Sequence, residues 1–316
     1  MIRSILVSAA LVVLSIVPRV IVLEDGFLPQ NNLKIAVGAL DAKGISQAQF
    51  NQVMDRMEKL YGPEIKARGG KLVLKRLWDD PTVNASAQRS GNDYVLNMYG
   101  GLARHEAITQ DGMALVVCHE MGHHIGGAPK YGGNDWASNE GQADYFANLK
   151  CLRRMFADEG ASFTGPKAGE DPGPRAACEK SFKSATDRAT CVRGSMAGMS
   201  VTTLFRILRN QTVLPRFDTP DQTVVTEMYD GHPDTQCRLD TYFAGSVCAR
   251  AVGDQVDETD PAKGTCTPGA QASGFRPLCW YKPATPAAPA AVAQRSHPKT
   301  PALVSSLQDP GLWLGL

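Results

Sequence analysis

A histidine pair and a glutamate in the middle of the chain have the types and the spacing of a metal-dependent hydrolase. His119 and His123 are four residues apart in the run HEMGH, so on a helix they lie on one face and can present two imidazole nitrogens to one ion. Glu120 follows about 100° further round such a helix, where it can take a proton from a metal-bound water. The spacing therefore predicts a catalytic metal site with two histidine ligands and Glu120 as its general base.

A second motif, NEGQAD, begins at Asn139 and offers a third ligand. In the longer HExxHxxGxxH pattern a third histidine would stand at position 129, but that residue is Pro129, which cannot bind a metal. His124 points away from the face that carries His119, so we expect it at the surface or beside the ligands. Glu140 is therefore the predicted third ligand. Two histidines and one glutamate leave a fourth position for water, as a catalytic zinc site requires.

The second motif is expected in the first turn of a helix. Ser138 can cap a helix that runs from about residue 139 to residue 157. Asp144 then lies one turn after Glu140 on the same face, and its carboxylate can accept the free N–H of a metal-bound imidazole. The alternative interpretation is that both are solvated acids near a helix N-terminus, where acids are favoured in any case. The preceding HExxH motif favours ligation.

Five residues together resemble the gluzincin zinc metallopeptidases, specifically the branch that contains HtpX and the CAAX prenyl proteases: His119, Glu120, His123, Glu140 and Asp144. The segment HPDTQCR, from His232 to Arg238, is similar to the H-P-x-x-x-x-R segment that follows the metal ligands in that branch. The resemblance covers roughly residues 93 to 245, about half of the chain. It implies a zincin-like fold, one Zn²⁺ per chain and the hydrolysis of peptide bonds.

The resemblance also implies roles for the later segment. His232 would lie near the zinc and donate to the oxyanion of the reacting carbonyl, with Arg238 supporting the site. Pro233 suits the first position of a helix and would hold His232 just outside its N-terminus. The alternative is a loop that starts a helix and carries a surface arginine. The integral-membrane members of the branch have several long apolar spans, and this chain has none beyond its N-terminus.

Taken together, these residues predict an exported zinc endopeptidase, with a zinc-activated water and Glu120 as general base. Its substrate would be a protein or peptide in an extended conformation. The formal net charge of +1, with both signs mixed along the chain, gives no indication of nucleic-acid binding. Two alternatives stay open. One is a degenerate or non-proteolytic zinc protein that acts as a binding or chaperone module in the cell envelope, and the other is a hydrolase of non-peptide amides.

The helices and strands expected around these residues indicate an α+β fold. It would have a mainly helical zincin-like core and a small antiparallel sheet or hairpin. The capping-box pair Ser46 and Gln49 begins an amphipathic helix over residues 46–62. A strand is expected over residues 71–78. A hairpin is expected from strands at residues 83–88 and 94–99.

The second hairpin strand is predicted to be an edge strand beside the cleft. Unpaired backbone groups of such a strand can hydrogen-bond to an extended substrate. Its six residues are therefore the predicted substrate-binding residues: Tyr94, Val95, Leu96, Asn97, Met98 and Tyr99.

The N-terminus and the cysteines predict export to the periplasm or secretion. Residues 5–17 form an unbroken apolar or small stretch after a short basic start, which is typical of a signal peptide, here placed over residues 1–23. The alternative is an uncleaved anchor over residues 5–23, which would be the only contact with a membrane. Eight cysteines follow, an even number that predicts disulfide bonds. The expected local pairs are Cys178–Cys191 and Cys266–Cys279.

The sequence predicts three further parts of the chain: a domain, a C-terminal extension and a tail. The metallopeptidase domain is expected over residues 24–245, followed by a cysteine-rich C-terminal extension over residues 246–282 that packs on it. Residues 283–316 are rich in proline and alanine and are predicted to be a disordered tail.

Overall fold

The computed structural model describes residues 21–22, 26–132, 136–157 and 173–284 and has an α+β fold. The predicted signal segment, apart from residues 21 and 22, and the predicted tail from residue 285 onwards lie outside the described residues. The elements in chain order are β1 Ile21–Val22, α1 Gln47–Ala67, β2 Lys71–Leu77, β3 Ala85–Ser90, β4 Asp93–Tyr99, α2 Gly100–Arg104, α3 Gln110–Ile125, α4 Glu140–Phe146, a π-helical turn Ala147–Cys151, α5 Leu152–Phe156, α6 Gly173–Ser181, α7 Ala185–Leu208 and α8 Thr235–Val247.

Helix α1 begins where its capping box predicts. Ser46 accepts a hydrogen bond from the backbone N–H of Gln49, and the Gln49 side chain accepts from the N–H of Ser46. The helix was expected to end at residue 62, but it continues past Pro63 to residue 67. Ile65 is fully buried, and this burial holds the last turn against the core.

The sheet has the order β1-β3-β4-β2, and it is mixed rather than antiparallel. β3 and β4 form the expected antiparallel hairpin, with Gly91 at a positive φ in the turn. β2, however, pairs in parallel with the other side of β4 along its whole length. The chain between β2 and β3 crosses to the far side of the sheet and leaves a place between them, which β4 fills. Of the predicted antiparallel sheet or hairpin, the hairpin is present, but the sheet that contains it is mixed.

The same topology makes β4 an interior strand. Residues Tyr94 to Tyr99 are paired through their backbone to β3 on one side and to β2 on the other. The prediction that they form an edge strand was wrong, because β2 pairs with the side of β4 that the hairpin leaves open. These residues therefore have no free strand edge with which to bind a peptide, because the outer strands of the sheet are β1 and β2.

Helix α3 is the centre of the molecule. Every residue from Gly112 to Ile125 is buried, and the helix packs on α1, α4, α7 and the sheet. Thr109 caps it by accepting from the N–H of Gly112. Gly122 allows the close approach of α4, because a Cβ there would stand 3.0 Å from the Cα of Ala143. This approach brings the two predicted metal-binding motifs together.

The cap of α4 differs from the prediction by one residue. The side chain of Asn139, and not that of Ser138, accepts from the N–H of Gln142. The Ser138 hydroxyl instead donates to the carbonyl of Gly127 and holds the preceding loop. The predicted helix to about residue 157 is continuous in direction but passes through the π-helical turn, where Cys151 is bonded to Cys118 of α3.

Residues 248–282 are held to both ends of α8 by disulfide bonds. Cys237 at the start of α8 is bonded to Cys279, and Cys248 just after its end is bonded to Cys266. The expected pair Cys266–Cys279 was wrong, because the extension returns along α8, whose two ends are roughly 16 Å apart. The expected pair Cys178–Cys191 is confirmed.

All eight cysteines are paired, in four disulfide bonds. This is typical of proteins that fold in an oxidising, extracytoplasmic environment. Among the described residues, none of the helices has both the length and the apolar character needed to cross a membrane.

The packing of the extension on α4 can be tested at Gly141. A Cβ at this position would overlap the indole ring of Trp280, which is fully buried. We expect Gly141→Ala to lower the free energy of unfolding by about 1–3 kcal/mol, measured by urea denaturation. In a Trp280→Leu background the same change should cost less, since the overlapping ring is gone. An equal cost in both backgrounds would contradict this packing.

Candidate metal centre

Three side chains from α3 and α4 converge in a buried site. The Nε2 atoms of His119 and His123 are 3.0 Å apart. Glu140, in the first turn of α4, places Oε2 at 3.3 Å from His119 Nε2 and Oε1 at 3.5 Å from His123 Nε2. All three side chains are at most 1 % exposed, so no bulk water separates them. The three predicted ligands are therefore brought to one point.

The outer face of each imidazole is held by an acceptor. His123 Nδ1 donates to the carbonyl oxygen of Ser138 at 2.8 Å, and His119 Nδ1 donates to Asp144 Oδ1 at 2.7 Å. In the neutral tautomers that these bonds select, both Nε2 atoms carry lone pairs that point inward. Two lone pairs and a carboxylate at this separation repel each other unless a positive charge lies between them.

The pKa values of the three side chains also indicate that a positive charge is favoured between them. Burial alone would lower the pKa of His119, but the carboxylates of Asp144 and Glu140 outweigh it and raise the pKa to about 9. Burial lowers the pKa of His123 to about 4. Burial also opposes ionisation of Glu140, yet the adjacent His232, His119 and His123 hold its pKa well below the usual range. A proton on His119 supplies this positive charge when no metal is bound, and a divalent ion would replace the proton.

The separations fit a small divalent metal. Metal–ligand bonds of about 2.0–2.2 Å in a tetrahedral arrangement place neighbouring ligand atoms roughly 3.3 Å apart. The three donor atoms of His119, His123 and Glu140 lie within 4.8 Å of one another and match that spacing closely. A second group, Asp221 with Cys237 and Cys279, is also close in space, but both cysteines are in a disulfide bond and cannot ligate.

Asp144 is the acceptor on which the His119 side of the site depends. Its Oδ1 accepts from His119 Nδ1, from Arg238 Nη2 and from the Tyr242 hydroxyl, each at 2.7 Å. Burial favours the protonated acid, but Arg238 and His119 outweigh this and lower the pKa of Asp144. Arg238 is itself fully buried and packs over the ring of Phe205. It therefore holds Asp144, and through it His119, rather than a substrate.

Glu120 is buried beside the ligands with neither carboxylate oxygen hydrogen-bonded. Burial is the main cause that raises its pKa to about 8, and the nearby His119 opposes the rise. An unpartnered carboxyl group in a dry site is costly, so its presence calls for a function. A cation at the adjacent ligands would favour its charged form.

The later segment does return to the site. His232 Nε2 lies 3.4 Å from Glu140 Oε2, although the two residues are far apart in the chain. The helix after it begins at Thr235, with Asp234 as its cap, so Pro233 is not the first helical residue as expected. His232 instead stands in the loop before the helix, where its Nε2 donates to a backbone carbonyl, that of Gly26, at 2.9 Å.

Two residues of the site were not predicted from the sequence. The Tyr131 hydroxyl donates to Glu140 Oε1 at 2.7 Å, and its ring stacks on His123. Asp230 accepts from the Asn139 side chain, and its own carbonyl oxygen accepts from the N–H of Glu140. Both lie in loops, where no periodicity marks a position as facing the site. Only their contacts in the folded chain identify them.

His124 is not a surface residue. It is buried between the sheet and the loop after α3, where its Nε2 donates to the carbonyl of Val95 and its Nδ1 accepts from Arg89. Its ring also stacks on that of Trp136. Helical geometry predicted that it faces away from the ligands but not that the sheet would cover that face. The predicted substrate-binding strand Tyr94–Tyr99 thus lies behind His124, with its backbone already paired.

No protein-family model, no curated protein and no solved structure matches this chain. Function is therefore inferred from the side chains of the site and from the resemblance of the short motifs.

The role of Asp144 can be tested by Asp144→Asn. The amide keeps the shape but removes the charge that orients His119 and pairs with Arg238, so we expect the affinity for a divalent metal to fall about 10- to 100-fold. Competition with a chelator measures this. Asp240→Asn is the matched control, because Asp240 is also an aspartate within a helix, but its carboxylate accepts from the Gln236 side chain and from the N–H of Asp221 and does not contact the site. Unchanged affinity in Asp144→Asn would contradict the role.

Proposed function

We propose that the protein is an exported zinc-dependent endopeptidase. The observation that carries the proposal is the combination of three converging metal-binding atoms with a buried, unpartnered Glu120 at their side. A purely structural metal site would need no such acid. Two histidines and one glutamate as protein ligands are the donor set of catalytic zinc sites in which the fourth position takes water or substrate. The short-motif resemblance to gluzincins supports the same reaction.

The residues of the site would have separate roles in hydrolysis. His119, His123 and Glu140 would hold the zinc, which when bound activates a water and polarises the scissile carbonyl. Glu120 would take the proton and later deliver it to the leaving amine, since a cation at the adjacent ligands would favour the charged form that can act as a base. Tyr131 fixes one oxygen of Glu140 by its hydrogen bond. Asp144 and Arg238 keep His119 in the productive tautomer.

His232 is the proposed donor to the oxyanion. Its Nε2 already donates to a main-chain carbonyl oxygen at 2.9 Å while lying 3.4 Å from the ligand Glu140. A substrate carbonyl in the same place would be within reach of both the histidine and the metal ligands. Stabilisation of developing charge by a preorganised donor is usually a large contribution to catalysis.

An exported location and a peptide substrate in an extended conformation belong to this proposal. The four disulfide bonds support a site of action outside the reducing cytoplasm. A binding or chaperone module that carries zinc without catalysis is the alternative. It explains the ligands but leaves Glu120 without a role, so the endopeptidase is favoured.

The general base is tested by Glu120→Gln. Purified protein should contain about one zinc per chain, because the ligand set is complete within one chain. The substitution should leave this content unchanged and lower kcat on an unstructured peptide by about 10²- to 10⁴-fold. Elemental analysis and a peptide-cleavage assay measure the two quantities. Glu106→Gln, at an exposed position, should change neither. A Glu120→Gln protein that cleaves at the wild-type rate would contradict the assignment of Glu120 as the general base.

The oxyanion donor is tested by His232→Ala. Since the interaction is made only as charge develops, kcat should fall by roughly 10²- to 10³-fold with little change in KM or zinc content. Steady-state kinetics on the same peptide measure the division between kcat and KM. Loss of zinc with the loss of activity would instead make His232 a support for Glu140.

A further inference from the structure

Glu140 places its two carboxylate oxygens at nearly the same distance from the two imidazoles. Oε2 lies 3.3 Å from His119 Nε2, and Oε1 lies 3.5 Å from His123 Nε2. A metal ion held by both imidazoles could therefore bind either oxygen or both. The positions of the histidines alone do not decide how many places around the ion Glu140 would take.

The two oxygens of Glu140 differ in their hydrogen bonds. Oε1 accepts from the Tyr131 hydroxyl at 2.7 Å. Oε2 is buried and has no hydrogen-bond partner among the residues that the structure describes. His232 Nε2 lies 3.4 Å from Oε2 but donates to the carbonyl of Gly26 instead. A buried carboxylate oxygen without a donor needs a positive partner, so Oε2 is the oxygen that is left for the metal.

Tyr131 is held in place independently of this hydrogen bond. Its N–H donates to the carbonyl of Ala137 at 3.0 Å, and the N–H of Gly132 donates to Asp230 Oδ2 at 2.9 Å. Its ring stacks on that of His123, with the centroids 6.1 Å apart. Because the backbone and the ring are both held, the hydroxyl loses little conformational freedom when it donates to Oε1.

We propose that Tyr131 is a positioning residue that makes Glu140 bind the metal through Oε2 alone. The hydrogen bond occupies Oε1 and reduces its negative charge, so Oε1 becomes the weaker ligand. A glutamate that binds through one oxygen leaves room around the ion for a water and for the carbonyl of the substrate. The inference rests on the proposed function for that use of the free position, but the mode of ligation depends on no substrate.

The experiment compares wild type with Tyr131→Phe, which removes the hydroxyl but keeps the ring on His123. The full chain is loaded with Co²⁺, because four-coordinate Co²⁺ absorbs visible light more strongly than five- or six-coordinate Co²⁺. Wild type should show the strong absorption of a four-coordinate ion. In Tyr131→Phe both oxygens of Glu140 are free to bind, so the absorption should fall by about twofold or more.

Metal affinity and activity separate this role from a merely structural one. The affinity of Tyr131→Phe for Zn²⁺, measured by competition with a chelator, should fall by less than about tenfold, since a second metal–oxygen bond replaces the lost hydrogen bond. With Zn²⁺ bound, kcat/KM on an unstructured peptide should fall by about tenfold, because the place for the substrate carbonyl is taken. Tyr229→Phe is the matched control. Tyr229 is 46 % exposed, and its substitution should leave the cobalt absorption unchanged.

Tyr131→Leu decides the matter if Tyr131→Phe does not fold, since it also lacks the hydroxyl and should show the same loss of absorption. Wild-type cobalt absorption in the folded variants would overturn the proposal, whatever happens to activity. A weak absorption in wild type would overturn it as well. Failure of the proposed function is read separately, as wild-type protein that gives the strong cobalt absorption but cleaves no peptide when it holds Zn²⁺.

Discussion

The structure depends on keeping three electron-pair donors together in a buried site. His119, His123 and Glu140 present lone pairs to one point at separations of 3.0–3.5 Å, an arrangement that is stable only with a positive charge between them. Each is oriented by a hydrogen bond: His119 donates to Asp144, His123 donates to the carbonyl of Ser138, and Glu140 accepts from the Tyr131 hydroxyl. The rest of the fold holds each of these ligands and its hydrogen-bond partner in position.

Much of that support comes from residues distant in sequence. Arg238 on α8 neutralises Asp144, and the disulfide bonds at both ends of α8 keep this helix in place. Beneath α4, the ring of Trp280 fills the space that Gly141 leaves open. A buried arginine paired with a buried aspartate is costly to break, because either partner alone would be an uncompensated charge. The C-terminal extension is therefore part of the structure that carries the metal centre.

The predictions that succeeded and those that were wrong differ in the range of the interactions concerned. The capping box of α1, the β3–β4 hairpin and the bond Cys178–Cys191 join residues close in sequence. The edge position of β4 and the bond Cys266–Cys279 depended on how distant segments meet, and both predictions were wrong. For the same reason the sequence did not predict that β2 would make the sheet mixed. Strand alternation shows which face is buried, but it does not show which strand becomes the neighbour.

The sequence by itself determined that His119, Glu120 and His123 share one end of a helix, since their geometry follows from the helical repeat alone. It also indicated Glu140 and Asp144 as one face of the next helix. Only the tertiary structure decided that the two faces meet, through the close approach at Gly122, and that Tyr131 and Asp230 join them. Loop residues have no repeat to reveal their direction, and burial of a polar group is settled only by which partners surround it.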